Sequence, residues 1–222
     1  MVSINSVKNS AELLAIFAHS VLEKGGAAGR ALGGAGRGIE DGLQQMLFCL
    51  KYLLNREAFQ DHYVRLLAHR LISDSSLSLD AEEYVAEELR KVASVDFSAR
   101  LQRMLTDRIR SLEQECQFVK DTEGVVRGLH VLLVTAGTWP LPQPEIFRVP
   151  EALRCQIDAF SRYYEHKFKR RKLTWLLNLS RADVRASFMD KKYEMTMSLK
   201  QVANVFANVL LMCLLMCLLM CC

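Results

Sequence analysis

Apolar residues recur at three- and four-residue intervals through the first half of the chain, and that spacing predicts helices. Leu13, Leu14, Phe17 and Val21 mark a short helix over 11–24, which Asn9 or Ser10 can cap and Gly25 and Gly26 end. Eight of the 11 glycines lie between Gly25 and Gly42, a composition that predicts a flexible linker. Order returns at about Ile39. Leu43, Met46, Leu47, Leu50 and Leu54 form one helical stripe, and Phe59, Tyr63, Leu66, Leu67 and Leu71 form a second. A third helix is expected from Asp80, a capping residue with Glu83 three positions on, with Tyr84, Val85, Leu89 and Val92 inward. The fourth carries Phe97, Leu101, Met104, Leu105, Ile109, Leu112 and Cys116. Four one-sided stripes must bury against one another, so 39–122 reads as a helical bundle, preceded by a short helix and Gly-rich linker at 1–38.

The pattern changes after Gly124. Leu129 to Val134 is a short apolar run that predicts a strand covered on both faces. The prolines in Trp139-Pro140-Leu141-Pro142 then force an extended loop. Pro150 suits the first position of a further helix, with Leu153, Ile157, Phe160 and Tyr164 on one side. Apolar runs at 173–179, 184–189 and 193–197, separated by polar turns, predict a small antiparallel meander packed on that helix. The expected class is α+β: mostly helical, a four-helix-bundle-like region followed by a partial α/β domain with a small antiparallel sheet at 123–205. A low-complexity apolar tail, 206–222, follows.

With 222 residues, half of them hydrophobic, the chain can bury one sizeable core or two small ones. A net charge of +4 is mild, and no nucleic-acid partner is expected from it. Cys49, Cys116 and Cys155 are scattered singly in apolar helical stretches and read as buried reduced thiols, without the clustering a metal site needs. His19, His62, His69, His130 and His166 have no Ser, Cys or acidic partner in a catalytic motif. The glycines of 25–42 follow no strand and carry no phosphate-loop lysine. No catalytic residue, metal or cofactor is therefore assigned. The basic run Lys167, Lys169, Arg170, Arg171 and Lys172 reads as a solvated helix end. Met1 to Ser10 is polar and has no secretory character, which predicts a cytosolic or nuclear protein. In the tail, Leu-Leu-Met-Cys repeats three times from Leu210. With Val202 to Val209 the apolar stretch reaches about 20 residues, the length of a membrane helix. Two readings stand: a C-terminal anchor at 202–222, or a low-complexity repeat without selected structure.

Two groups of motifs resemble the cullin family. Phe59-Gln60-x-x-Tyr63-x-x-x-Leu67-Ala68-x-Arg70-Leu71-Ile72, then Ser78-Leu79-Asp80-Ala81-Glu82, is similar to a helix–turn–helix of the cullin four-helix bundle, and Phe97 to Asp107 to the helix after it. Gly137-Thr138-Trp139-Pro140, Phe160-x-x-Tyr163-Tyr164 and Arg171-Lys172-Leu173-Thr174-Trp175 resemble the entry to the cullin α/β domain. The wording is nearest the cullin-1 type and covers roughly 11–205. Arg170 departs from the pattern, standing where the family usually has glycine. The resemblance implies a non-catalytic scaffold of a cullin–RING ubiquitin ligase that binds a RING-box subunit, partly by letting a strand of that partner join the sheet. It places the contact at Leu129, Val131, Leu133, Trp139, Leu173, Trp175 and Leu177, with Trp139 and Trp175 as packing residues first. The adaptor-binding repeats and winged-helix region of cullins have no counterpart in these motifs. A decoy that titrates the RING partner, or a tail-anchored membrane protein with a cytosolic helical domain, are the alternatives.

Overall fold

The computed structural model describes residues 9–27, 36–122, 128–188 and 191–206. Among the described residues six long helices come first and a hairpin follows, so the chain is α+β, as its pattern predicts. The helices are α1 (Ser10–Leu22), α2 (Gly36–Lys51), α3 (Arg56–Ile72), α4 (Leu79–Arg90), α5 (Val95–Asp121) and α6 (Glu151–Lys167). The strands are β1 (Arg181–Phe188) and β2 (Lys191–Ser198), and a short helix, α7, covers 199–206. Two compact units divide the chain: residues up to Gln117 with His130–Pro140, and Phe118–Leu129 with the residues from Leu141 onward.

In the first unit, local chemistry sets the helix ends. Asn55 caps α3 by accepting from the Ala58 N–H at 3.1 Å. At its other end Ser73 Oγ donates to the His69 carbonyl, and Asp74 turns the chain away at φ 53°, a left-handed position that Asp tolerates. Helix α4 is capped by Ser78, which accepts from Ala81 N–H at 3.1 Å; the cap lies two residues before the expected Asp80. The buried face of α4 is Glu82, Val85, Ala86 and Leu89, while Tyr84 is 38% exposed. The register is rotated from the apolar reading because a charged residue, Glu82, occupies an inward position.

Glu82 is buried because it meets Arg70. Both side chains are fully excluded from solvent, and Arg70 donates from Nε to Oε1 at 2.7 Å and from Nη2 to Oε2 at 2.9 Å. Ser76 Oγ adds a bond to Oε1 at 2.7 Å, and the third guanidinium nitrogen meets His19 Nδ1 on α1 at 3.1 Å. Burial opposes the Arg70 charge, but the Glu82 hydrogen bonds outweigh it and hold its pKa above the ordinary value. The ring of Tyr63 lies under the guanidinium, and burial pushes its phenol well above the usual range.

Around this pair the apolar core follows the expected stripes. Phe59, Tyr63, Leu67 and Leu71 of α3 are buried, as are Leu43, Met46, Leu47 and Leu50 of α2. Each large side chain so buried contributes about 1.5–3 kcal/mol. Leu54 is an exception at 83% exposed. The helix stops at Lys51 and i→i+3 bonds from Tyr52 and Leu53 turn the chain, so Leu53 goes inside instead. Helix α1 packs on α3 and α2, and α2 also meets α4. The linker expected over 25–42 is helical from Gly36, because α2 continues toward its N-terminus beyond its apolar stripe; residues 28–35 lie outside the described residues.

In the second unit β1 and β2 form a two-stranded antiparallel hairpin with Val184 opposite Met195 and Arg185 opposite Glu194. Its period of two is clean. One face carries Asp183, Arg185, Glu194 and Thr196, joined by Thr196 Oγ1→Asp183 at 2.7 Å and Arg185–Glu194 at 2.8 Å. Ser198 and Gln201 then make a reciprocal capping box at the start of α7, with bonds of 3.3 and 2.9 Å. The repeat at 210–222 lies outside the described residues. Among those described, no helix is long and apolar enough to cross a membrane.

Truncating one member of the buried pair leaves its partner charged and dry. Glu82→Ala is expected to lower stability by about 3–5 kcal/mol, whereas the double change Arg70→Met with Glu82→Leu recovers most of that loss. Urea unfolding followed by helical circular dichroism measures both; equal losses in single and double variants would contradict the account.

Candidate functional site

Helix α5 has two faces of different chemistry. Phe97, Leu101, Met104 and Leu105 enter the core, but the next inward positions are Asp107 and Ser111, both buried. Ile109, Leu112 and Cys116, expected inside, are exposed. Cys155 is exposed too and Cys49 half-buried, so the expectation of buried thiols fails for two of the three and is only partly met for the third. Polar residues sit on the inward face of α5 because an extended segment, His130–Pro140, lies along it and needs hydrogen-bond partners.

Asp107 is the anchor. Its Oδ2 accepts from Thr135 N–H at 2.8 Å and from Trp139 Nε1–H at 2.9 Å, and its Oδ1 from the Thr135 hydroxyl at 3.0 Å. One turn on, Ser111 Oγ accepts from Leu133 N–H at 2.7 Å and shares its proton between the Asp107 and Leu133 carbonyls at 2.6 and 3.1 Å. Arg100 donates to the Thr138 carbonyl at 2.6 Å, and His130 meets Glu115 at 2.6 Å. Gly137, at φ 79°, supplies the turn before Trp139.

The strand expected at 129–134 is therefore an extended segment without a ladder. Side chains of α5 take the bonds that a neighbouring strand would take. Among the described residues only Leu133 in this run has its backbone N–H and C=O paired.

The strand expected at 173–179 is also absent. Local i→i+3 bonds from Leu179 and Ser180 wind Leu177–Leu179 into a 3₁₀ turn, and Asn178 donates to the Gln143 carbonyl at 3.2 Å. Trp175 donates from Nε1 to Ser161 Oγ on α6 at 2.9 Å, with its ring edge-on to Phe160 at 5.9 Å. Phe160 also meets Phe118 at 5.0 Å, giving this unit an aromatic centre. The meander reduces to the β1–β2 hairpin.

The seven residues singled out from sequence divide accordingly. Val131 and Trp139 are buried, Trp139 bonded to Asp107 on α5, and Leu133 is half-buried and bonded to Ser111. Leu129 is half-buried at the start of the segment. In the second unit Leu173, Trp175 and Leu177 are all half-buried, Trp175 through its bond to α6. Asp107 and Ser111, which hold the segment, were missed; a lone acid and serine in an amphipathic helix look like surface residues. Among the described residues no three His, Cys, Asp or Glu side chains are placed to hold a metal.

The family described as the cullin alpha solenoid domain matches residues 1–114, and that described as the cullin alpha+beta domain matches 133–208. The chain belongs to the cullin family. Cullin-2 of Caenorhabditis elegans is 30% identical over 220 residues, covering 89% of this chain and 27% of the relative. Cullin-1 of Oryza sativa subsp. japonica is 28% identical over 204 residues, with the same two shares, and cullin-1 of Schizosaccharomyces pombe 32% over 184 residues, 82% of this chain and 23% of the relative. Cullin-3 and cullin-4 proteins match as well, so the likeness is to the cullin family at large. The chain spans about a quarter of the length of the curated relatives it matches.

Removing the Asp107 carboxylate strands three donors. Asp107→Ala is expected to cost about 2–4 kcal/mol, given 1.5–3 kcal/mol for a hydrogen bond to a charged group and incomplete additivity. In a Trp175→Phe background it should also red-shift Trp139 fluorescence as the indole meets water; an unshifted spectrum would mean the segment stays docked without its anchor.

Proposed function

We propose that this cullin chain is a non-catalytic scaffold in a cullin–RING ubiquitin ligase and that it contacts a RING-box subunit by strand addition to the run 129–134. The observation that supports this most is the backbone of that run. It is extended and ordered, yet among the described residues it lacks a ladder partner, apart from Leu133 held by Ser111. A partner strand gains main-chain hydrogen bonds from such a segment, and side-chain pockets supply selectivity. On this reading Val131 and Trp139 hold the segment on α5, while Leu129 and Leu133 are offered to the partner. Leu173, Trp175 and Leu177 are proposed as a separate contact in the second unit. The same reading assigns the chain no catalytic residue or cofactor and puts its work in the cytosol or nucleus.

The test is co-purification of the chain with a RING-box subunit, followed by size-exclusion chromatography. A stable one-to-one complex is expected; a folded chain that elutes alone overturns the proposal. Leu132→Pro deletes one N–H that strand addition would use and leaves the Ser111–Leu133 bonds in place. It should weaken the complex by roughly tenfold, equivalent to about 1.4 kcal/mol, without lowering helical content.

A further inference from the structure

The environment of His19 points to a function for α1 beyond scaffolding. Helix α1 is held on α3 by a thin apolar face. Its buried residues are Ala11, Ala15, Ala18, Val21 and Leu22, so three of five contribute only a methyl group. Apolar stabilisation scales with the area removed from water, and this face is small for a helix of 13 residues. Polar contacts therefore carry a larger share of its attachment. The main ones are Lys24 N–H to the Ser75 carbonyl at 2.8 Å, Leu77 N–H to the Leu22 carbonyl at 2.7 Å, and the His19–Arg70 contact at 3.1 Å.

The His19 contact fixes a protonation state. Arg70 carries its proton at any physiological pH and can only donate, so His19 Nδ1 must accept. The ring's proton then lies on Nε2, facing Glu23 at 3.6 Å. A doubly protonated ring would aim an N–H at the guanidinium, 3.1 Å away, in a setting with little water to screen it. The groups around the ring are Arg70 and His69 from α3, Glu82 from α4 and Glu23, the residue just after α1. The rings of His69 and His19 are 6.2 Å apart. Glu23 and, behind it, Glu82, whose oxygens are both engaged by Arg70, are the acids that favour the charged ring.

We propose that His19 is an acid-sensitive latch, holding α1 on α3 while its ring is neutral and releasing α1 when the ring takes a second proton. Gly25, at φ +73° with open space where a Cβ would stand, lies three residues beyond the end of α1 and gives the chain a place to pivot. Burial first, and then the Arg70 charge, lower the His19 pKa from 6.5, with Glu23 opposing. The sign follows. A histidine whose pKa is depressed when docked takes up a proton on release, so docking is fully supported above the free value of 6.5 and weakens as pH falls through it. If the docked ring stays neutral, the release equilibrium rises up to about tenfold between pH 7.5 and 5.5.

Hydrogen exchange on the full chain at pH 7.5 and 5.5, corrected for intrinsic rates, tests this. Protection of α1 should fall several-fold at the lower pH while α4 and α5 keep theirs. His19→Gln presents a neutral acceptor at both values and should abolish the difference. Should that variant not fold, the ring resonances of His19 in the unmodified chain decide, with a midpoint below 6.5 expected. His69→Gln should leave the effect intact. Unchanged α1 protection, a parallel loss in all three helices, a persistent acid effect in His19→Gln, or a His19 midpoint at or above 6.5 each overturn the proposal.

Discussion

Arg70 and Glu82 have left water entirely, and a charge in that position is tolerable only if every polar atom around it is used. Meeting that condition takes pieces from four parts of the chain: α3 for the arginine, α4 for the glutamate, the intervening loop for Ser76, and α1 for His19. Apolar stripes alone would let α4 slide or rotate on its neighbours at modest cost. A bidentate guanidinium–carboxylate pair accepts one register only. Such pairs add little net stability over a well-packed apolar substitute, so the natural reading is that this one specifies how the helices meet. The rotation of α4 that exposes Tyr84 is the visible consequence.

The same logic recurs on α5. Asp107 is buried, and its three donors all come from the segment ending at Trp139. A helix side chain here does what a strand would do in a sheet, closing backbone groups of an extended segment. The difference is that side chains come once per turn, about 5.4 Å, whereas a ladder serves every second residue. Ser111 and Asp107 can therefore satisfy Leu133 and Thr135 but leave the residues between and before them unladdered.

These two sites also mark where the sequence ceased to be readable. The helical stripes of α2, α3 and α5's first turns, the hairpin, and the aromatic centre at Phe160 all follow from periodicity, because apolar burial writes itself into spacing. Arg70, Glu82, Asp107 and His19 do not. A buried charged residue at an inward position looks like a break in the pattern, and its partner lies 12, 28 or 51 residues away. The Ser198–Gln201 capping box is written in the sequence as Ser-x-x-Gln, just past the last apolar run at 193–197. The apolar runs 129–134 and 173–179 misled in the opposite direction. Their composition suits a strand, but composition cannot say whether a neighbour is available to complete one. Of the residues proposed for partner contact, Trp139 reads from its motif as a packing residue and is buried, but its bond to Asp107 on α5 is not visible in the spacing.

An extended segment ordered before any partner arrives has thermodynamic weight for the proposed strand addition. Binding a partner to a disordered run would spend much of the interaction on fixing the chain, on the order of 1–2 kcal/mol per residue. Here α5 has already met that cost through Asp107, Ser111 and Arg100, so more of each new main-chain bond appears as affinity. Open backbone is also a hazard, since any strand can pair with it. The segment is short and runs into Pro140 and Pro142, which cannot donate to a ladder, so pairing is confined to the few residues before Trp139. That confinement separates a recognition edge from an aggregation edge: a partner strand must end before Pro140 rather than extend without limit.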